Sequence, residues 1–226
     1  MPYSEGHWST ESDEQKSLKK YLDMYDDVYN KGNLDRILEE VGEKKSQYIL
    51  DYGGGVGMIS VRLAMQGHNV VLGDAAEKAL NSANYYADKE GVKITTVCCD
   101  RIDAFSDEKF DLIIAKDLLE HVVNDEEMVK EFFKKLKPGG KLIITTQNAM
   151  SPNYVIEGGI RKVLHPTVKW LGWDRTHVRF YTPRSLRKLS ERAGFKTTSF
   201  KPAYIFPYKL FAIALPWFDS SQDNLL

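Results

Sequence analysis

The stretch YILDYGGGVGMIS, residues 48–60, decides the fold. It begins with a short apolar run, and after the glycines apolar residues recur at helical spacing as far as the next glycine. A strand, a tight turn and a helix are therefore predicted in that order. The turn carries Gly53, Gly55 and Gly57, and Asp51 stands two residues ahead of the first. Because glycine has no Cβ, the backbone of this turn can approach a ligand closely.

The alternation of strand and helix continues downstream, with short loops between the elements. The apolar runs are continuous and do not alternate with polar residues, which is typical of parallel strands buried on both faces. The sequence therefore predicts an α/β fold with a Rossmann-like, mostly parallel sheet covered by helices on both faces. The further strands of this core are predicted in HNVVLGD (68–74), VKITTVCCD (92–100), FDLIIAKD (110–117) and KLIITTQN (141–148).

Local signals mark two helix boundaries near the end of the core. Asn124 is predicted to cap a helix that stops at the Pro-Gly-Gly sequence at 138–140. Thr182, followed by a proline, predicts the start of another helix. Two more strands, predicted at 196–203 and 209–217, bring the expected sheet to seven strands.

The chain divides into four predicted segments. Residues 1–47 carry helical periodicity and are expected to form a small N-terminal helical cap. Residues 48–148 form the ligand-binding core, and residues 149–181 interrupt its alternation as an insertion on the substrate side. Residues 182–226 supply the last helix and the last strands that complete the core.

Composition and charge disfavour several classes of protein. Hydrophobic residues make up 42% and charged residues 28%, which argues against disorder and against a membrane bundle. The first residues lack an apolar signal core, and the apolar stretch 204–218 is shorter than the ~20 residues that span a bilayer. A cytoplasmic protein is expected. Residues 151–201 hold 11 Lys and Arg against 3 Asp and Glu, which predicts an anionic partner.

The cysteine and histidine pattern predicts no metal site. Cys98 and Cys99 are the only cysteines, and adjacent residues on a strand point to opposite faces. The sequence contains no H-x-x-H or C-x-x-C spacing. Neither a structural disulfide nor a metal cluster is therefore expected, and the pattern leaves the oligomeric state open.

The spacing of the glycines separates two classes of nucleotide-binding turn. In a dinucleotide fingerprint, G-x-G-x-x-G, the third glycine would fall at Met58 when counted from Gly53. The sequence has D-x-G-x-G-x-G instead, from Asp51 to Gly57. This pattern resembles the class I S-adenosylmethionine-dependent methyltransferases, in which an acidic residue and a glycine loop hold the methionine half of the cofactor. The resemblance is good over residues 48–146.

The resemblance implies a set of cofactor-binding residues. Asp51 would lie near the ammonium of the cofactor, and backbone N–H groups at the start of the helix would meet its carboxylate. Asp74, at the end of the second strand, would accept both ribose hydroxyls, and Asp100 would accept the adenine amino group. The remaining residues that the resemblance assigns to this site are Gly53, Gly55, Gly57, Ala75, Arg101, Ile102 and Lys116, the last through its backbone carbonyl.

A second group of residues is a candidate for the methyl acceptor. In KDLLEHVVND, His121 follows the fourth strand, and this LEHV sequence resembles the ubiquinone-biosynthesis O-methyltransferases. A histidine there is a candidate general base for an acceptor hydroxyl. Asp117 is four residues earlier and is expected to pair with it if the segment is helical. The stretch WDRTHVRFYTP, 173–183, adds His177 and Tyr181 as catalytic candidates and Trp173, Arg175 and Arg179 as substrate-binding candidates.

Three functions remain open on these observations. The first is a methyltransferase that is expected to act at oxygen, on a small or amphipathic acceptor with an anionic or lipid-linked group. The second is an RNA or protein methyltransferase that uses the basic segment, which the absence of an added nucleic-acid module and of an N-P-P-[YF]-type sequence disfavours. The third is a non-catalytic nucleotide-binding module. Each uses the same glycine turn.

Overall fold

The computed structural model describes residues 13–42, 46–164, 167, 174 and 176–201. Within these residues, five parallel strands form one sheet in the order β3-β2-β1-β4-β5. After β1 the chain continues to β2 on one side of the sheet, and after β4 it continues to β5 on the other side. The two connections diverge and leave a crevice at the carboxyl ends of β1 and β4. The strands are β1 (Tyr48–Tyr52), β2 (Asn69–Asp74), β3 (Thr95–Cys98), β4 (Phe110–Lys116) and β5 (Leu136–Thr145).

Helices cover both faces of this sheet, as the continuous apolar strands predict. On one face, side chains of α2 and α3 pack against β1, β2 and β4 in a cluster that includes Ile37, Leu63 and Ile114. On the other face, α5 and α7 bury Phe132 and Leu189 against the sheet. The helices are α1 (Glu14–Tyr25), α2 (Val28–Val41), α3 (Met58–Met65), α4 (Glu77–Lys89), α5 (Asp125–Lys135), α6 (Pro152–Leu164) and α7 (Pro183–Arg192).

The helices of the N-terminal segment pack on the core. Leu18 of α1 is buried with Tyr86 and Ala87 of α4, and α2 belongs to the layer that covers the sheet. Both helices begin at an aspartate whose side chain accepts a backbone N–H bond, Asp13 for α1 and Asp27 for α2. These contacts place α1 near the crevice at the carboxyl ends of the strands.

Two of the predicted helix boundaries agree with the structure and one differs. Thr182 caps α7 in a capping box with Ser185, and Asn124 precedes α5, although its side chain makes no capping bond. The predicted stop at 138–140 is wrong, because α5 ends at Lys135 and β5 begins at once. The Pro-Gly-Gly sequence lies inside β5, where the pairing with β4 shifts register and the extra residues are accommodated as an irregularity.

The predicted count of seven strands exceeds the five that the described residues contain. Residues 196–201, the described part of the sixth predicted strand, belong to no strand. A strand requires a hydrogen-bonded neighbour, and the predicted neighbour, 209–217, lies outside the described residues. The described part of the sheet is therefore entirely parallel.

The predicted insertion begins and ends at the same place on the sheet. Asn148 and Tyr181 form a parallel bridge, and the Ala149 N–H donates to the Tyr181 carbonyl at 2.8 Å. Between these ends lies α6, which the sequence analysis did not predict. Residues 176–181 therefore return to the carboxyl end of β5, beside the crevice. Among the described residues, no helix is both long and apolar enough to span a bilayer.

Candidate functional site

The glycine turn after β1 has the backbone that its sequence requires. Gly53, Gly55 and Gly57 have φ values of 76°, 55° and 75°, in the left-handed region that favours glycine. A Cβ at Gly53 would lie 2.9 Å from Leu118 Cδ1, and one at Gly57 would lie 2.9 Å from Ala83 Cβ. At Gly55 no atom would come within 4 Å. Packing therefore restricts Gly57 most, because Ala83 Cβ cannot rotate away, whereas Gly53 meets the mobile end of the Leu118 side chain and Gly55 borders open space.

This difference predicts unequal costs for two alanine substitutions. We expect Gly57→Ala to lower the free energy of unfolding by about 3 kcal/mol, because backbone strain adds to overpacking against Ala83. Gly55→Ala should cost about 1 kcal/mol, since it meets only the backbone strain. Urea denaturation of both variants measures the difference. Equal costs would show that the contact with Ala83 relaxes freely.

Asp51 lies under the turn with one oxygen unsatisfied. The carboxylate is fully buried, and Ser60 donates a hydrogen bond to its Oδ2 at 2.7 Å. Its Oδ1 is buried and has no hydrogen-bond partner among the residues that the structure describes. Burial raises the pKa of Asp51 to about 6, although the bond from Ser60 opposes the shift. A buried acceptor without a donor fits the ammonium that the sequence assigns to this position.

Asp74 ties the glycine turn to the end of β2. Its Oδ2 accepts the Gly55 N–H at 2.9 Å, and its Oδ1 accepts the Ala76 N–H at 2.8 Å. Burial raises the pKa of Asp74 in spite of these bonds. Each oxygen keeps a further lone pair, so the carboxylate can still accept two hydroxyl groups. This arrangement fits a ribose.

The residues predicted for the adenine end follow β2 and β3, which are neighbours in the sheet. Ala75 and Asp100 are exposed there. Arg101 is also exposed, and its guanidinium pairs with Asp103 at 2.9 Å. Ile102 is almost completely buried in the core cluster between the sheet and α5, so little of its side chain is available to a ligand.

Helix α1 adds two tyrosines that the sequence analysis missed. Burial, together with the charge of Asp74, raises the pKa of Tyr21 to about 12. Tyr25, one turn later, lies near Lys116, whose Nζ is 5.6 Å from its ring centroid. Burial raises the pKa of Tyr25, and Asp51 is among the charges that act on it. A four-residue spacing on a helix places both rings on one face, over the ends of β1, β2 and β4.

Lys116 contributes its side chain to this region, although only its backbone had been assigned a role. The Nζ group is mostly buried and lies 2.5 Å from Asp117 Oδ2. Asp117 has φ 46° and is also held by Thr145, whose hydroxyl donates to Oδ1 at 3.2 Å. The expected pairing of Asp117 with His121 requires an α-helix. Asp117 instead has a positive φ and is followed by the short 3-10 helix Leu119–His121, so the two side chains have other partners.

His121 and His177 come together at the end of β4, 56 residues apart in the sequence. Their ring centroids are 4.7 Å apart in an edge-to-face arrangement. Burial, together with His177, lowers the pKa of His121. Its Nδ1 is 2.8 Å from the Thr176 hydroxyl, which donates to Asp174 Oδ1 at 2.6 Å. A neutral imidazole of this kind can accept a proton from an acceptor hydroxyl.

Glu120 completes this cluster, and the sequence analysis overlooked it. Thr146 donates to its Oε2 at 2.9 Å, and its buried Oε1 has no partner within the described part of the chain. Burial, with the charge of Asp117, raises the pKa of Glu120 to about 8. One ligand atom each from Glu120, His121 and His177 lies within 4.8 Å of the others. Such a group can hold a divalent cation, although its sequence spacing gave no sign of it.

Two of the other predicted acceptor-side residues are engaged with α5. The Tyr181 hydroxyl donates to Asp125 Oδ2 at 2.5 Å and lies 3.3 Å from the Leu119 carbonyl. Burial and the bond to Asp125 raise the pKa of Tyr181 far above its ordinary value. Arg179 pairs with the same Asp125. In this structure these polar groups hold the returning segment on α5. Trp173 and Arg175 lie outside the described residues.

Comparison with known proteins agrees with this geometry. A family model described as a methyltransferase domain matches residues 24–199. A ubiquinone biosynthesis O-methyltransferase of Rickettsia prowazekii is 33% identical over 157 residues, and the match covers 62% of each chain. The protein of that description from Idiomarina loihiensis is 30% identical over 173 residues, which cover 74% of this chain and 68% of the relative.

The solved structures agree on the fold. That of an S-adenosylmethionine-dependent methyltransferase from Aquifex aeolicus matches with a TM-score of 0.59 at 18% identity, over 84% of this chain and 92% of that one. The family model covers more than half of the chain, and the resemblance drawn from the glycine turn is thereby confirmed. The chain belongs to the class I S-adenosylmethionine-dependent methyltransferases, and S-adenosylmethionine is its cofactor.

Proposed function

We propose that this chain transfers the methyl group of S-adenosylmethionine to an oxygen atom of a small or amphipathic acceptor, with His121 as the general base. The observation that carries the proposal is the position of the His121 ring just past the end of β4, beside the strand that carries Asp51, with its Nδ1 held 2.8 Å from the Thr176 hydroxyl. The names of the relatives, which describe O-methyltransferases, support transfer to oxygen. The alignment spans 62% of the first relative's length.

The cofactor supplies an electrophilic methyl group, so the protein's task is to position the acceptor and to remove its proton. In this proposal Asp51 binds the ammonium, Asp74 binds the ribose and Asp100 binds the adenine amino group. His121 takes the proton of the acceptor hydroxyl, and His177 packs edge-on against its ring. Tyr181 remains a proposed catalytic residue, and Trp173, Arg175 and Arg179 remain proposed for acceptor binding.

The test uses labelled S-adenosylmethionine and protocatechuate, a dihydroxybenzoate with acidic hydroxyls and an anionic group. Calorimetry first measures cofactor binding, and mass spectrometry then detects a methoxy product. Binding followed by methoxy formation supports the proposal. Binding without transfer to any phenol of this kind would contradict oxygen as the acceptor atom and leave the non-catalytic module standing.

An apolar surface near the cluster supports an amphipathic or lipid-linked acceptor. Tyr154 of α6 packs against Phe180 at a centroid distance of 4.7 Å, and Phe180 lies 6.0 Å from His177. The solvent side of α6 exposes a run of large apolar side chains, which is unusual for a surface without a partner. These side chains are Val155, Ile156, Ile160, Val163 and Leu164.

This surface predicts the effect of introducing charge. The double substitution Ile160→Glu and Val163→Glu should abolish sedimentation with vesicles of phosphatidylcholine and phosphatidylglycerol, because apolar contact is lost and anionic lipid repels the new charges. Both side chains are more than half exposed, so the fold should retain its stability. Met65→Glu on α3 is the control, since that residue is about as exposed as Ile160 and lies on a different helix. If the wild-type protein stays in the supernatant at every lipid concentration, the lipid-linked acceptor is removed from the proposal.

The reaction is proposed to need no metal, as the sequence pattern predicts. Burial raises the pKa of Glu120, so a cation held by Glu120 would have to displace a proton from it. We therefore expect methyl transfer to be unchanged after dialysis against EDTA. Loss of activity that Mg²⁺ or Zn²⁺ restores would instead assign a cation to Glu120, His121 and His177.

The alternative of an RNA substrate rests on the basic segment 151–201. Part of that charge is already engaged, because Arg179 pairs with Asp125 and Lys201 pairs with Glu40. A gel shift at moderate salt distinguishes the cases, since phosphate-driven affinity falls steeply as salt rises.

We also propose three further features that the sequence predicts. They are the organisation of the chain in four segments, a seven-stranded sheet and a cytoplasmic location.

A further inference from the structure

A chain of hydrogen bonds runs from the insertion to His121. Thr176 Oγ1 lies 2.8 Å from His121 Nδ1 and 2.6 Å from Asp174 Oδ1. The Thr176 N–H also donates to the same Asp174 oxygen at 2.8 Å. His121 is 55 residues from Thr176, so this contact exists only when residues 176–181 lie against the end of β4.

The direction of these bonds follows from the number of protons available. A threonine hydroxyl has one proton to donate, and a carboxylate can only accept. Burial opposes ionisation of Asp174, but the bonds from Thr176 and the nearby imidazoles outweigh it, so its pKa lies below the ordinary value. The hydroxyl proton therefore points to Asp174. The bond to His121 then requires a proton on Nδ1, which donates to Thr176 Oγ1.

We propose that Asp174 and Thr176 are positioning residues that hold His121 as the Nδ1–H tautomer. The lone pair of the neutral ring then resides on Nε2. The inference rests on the proposed function, in which that lone pair receives the acceptor proton. A hydroxyl relay of this kind plays the part that a carboxylate plays when it directly orients a catalytic histidine. The insertion thus orients His121, the proposed general base, and also lies beside the proposed acceptor site.

Other contacts hold the segment in place, so the relay can be removed separately. The Val178 N–H donates to the Glu120 carbonyl at 2.8 Å, and Tyr181 bonds to Asp125. Neither bond involves Thr176. Thr176→Val keeps the shape of the side chain and removes its hydroxyl, whereas Thr176→Ser keeps the hydroxyl. These two variants separate the hydrogen bond from packing.

The direct test is the tautomer of His121 in the full chain. Histidine ¹⁵N spectra at a pH where the ring is neutral distinguish Nδ1–H from Nε2–H, and the spectrum of His121→Gln assigns the signals by difference. We expect Nδ1–H in the wild type and in Thr176→Ser, and a shift toward Nε2–H in Thr176→Val and Asp174→Asn. Nε2–H in the wild type, or an unchanged tautomer in Thr176→Val, would overturn the proposal.

Kinetics supply the second readout, with protocatechuate as the probe. Thr176→Val should lower kcat by about tenfold to 100-fold, in the range of general-base effects, and leave calorimetric affinity for S-adenosylmethionine unchanged. Thr176→Ser should restore kcat to within threefold. A full kcat in Thr176→Val overturns the relay. If the wild type shows the Nδ1–H tautomer but transfers no methyl group to phenols, the proposed function fails while the tautomer assignment stands.

Discussion

Asp51→Asn is expected to lower the affinity for S-adenosylmethionine by about 100-fold at pH 8 while making the cofactor-free protein more stable. The loss of affinity, about 2.7 kcal/mol, is within the range for truncating one partner of a buried charge pair. The unsatisfied Oδ1 of Asp51 is the basis of this expectation, since no group among the described residues donates a hydrogen bond to it. Calorimetry measures the affinity directly.

The gain in stability follows from the sign of the pKa shift. Folding raises the pKa of Asp51 to about 6. The favourable contribution of Asp51 to the free energy of folding is therefore complete only below the pKa of the unfolded state, near 4. That contribution is lost as the pH rises through about 6, because ionisation of a buried carboxylate then opposes folding. Asparagine never ionises, so we expect Asp51→Asn to gain roughly 1–2 kcal/mol at pH 8 and little near pH 4.

Urea denaturation at the two pH values tests the stability half of this prediction. Asp111→Asn is the matched control, because Lys137 holds the pKa of Asp111 below its ordinary value. Neutralising Asp111 should therefore not stabilise the protein at pH 8.

Unchanged cofactor affinity in Asp51→Asn would remove Asp51 from the site. The wild type should also bind the cofactor less tightly as the pH falls below about 6, because Asp51 becomes protonated.

His121→Gln should lower kcat for methyl transfer by about 1,000-fold, since it removes the proposed general base. Glutamine keeps much of the volume and cannot take up the proton. The affinity for S-adenosylmethionine should change by less than a factor of about two, because the residues proposed for cofactor binding do not include His121. Calorimetry and initial-rate kinetics separate the two effects.

His68→Gln provides the comparison for losing a buried imidazole elsewhere. His68 is buried, and its Nδ1 accepts the Gln47 N–H at 3.2 Å, so the variant tests stability without touching the acceptor side. We expect this variant to lose some stability and to keep kcat. A full kcat in His121→Gln would show that the acceptor loses its proton to water or to another group.

The parts of the molecule that the sequence could predict are those encoded by neighbouring residues. Strands β1, β2 and β4 each contain an uninterrupted apolar run, and the alternating glycines after Asp51 are typical of a left-handed turn. The capping of α7 by Thr182 is equally local. In all three cases the physical cause lies within about seven residues, so one sequence suffices.

The errors and omissions share a different cause, which is contact over long distances in the chain. Asp174 and Thr176 reach His121 only because the insertion returns to β5, and nothing in their spacing reveals this. The expected pair of Asp117 with His121 assumed helical geometry, and a residue with φ 46° breaks that assumption. Arg179 remains a proposed acceptor-binding residue, and the sequence did not predict its ion pair with Asp125.

The bridge between Asn148 and Tyr181 has an evolutionary consequence. Because both ends of the insertion are fastened to the same edge of the sheet, its length can change with little effect on the core. Doubling the length of such a loop costs only about 0.6 kcal/mol in closure entropy. Descendants of this chain can therefore carry a segment of another size between these two ends while the inherited cofactor turn stays as it is.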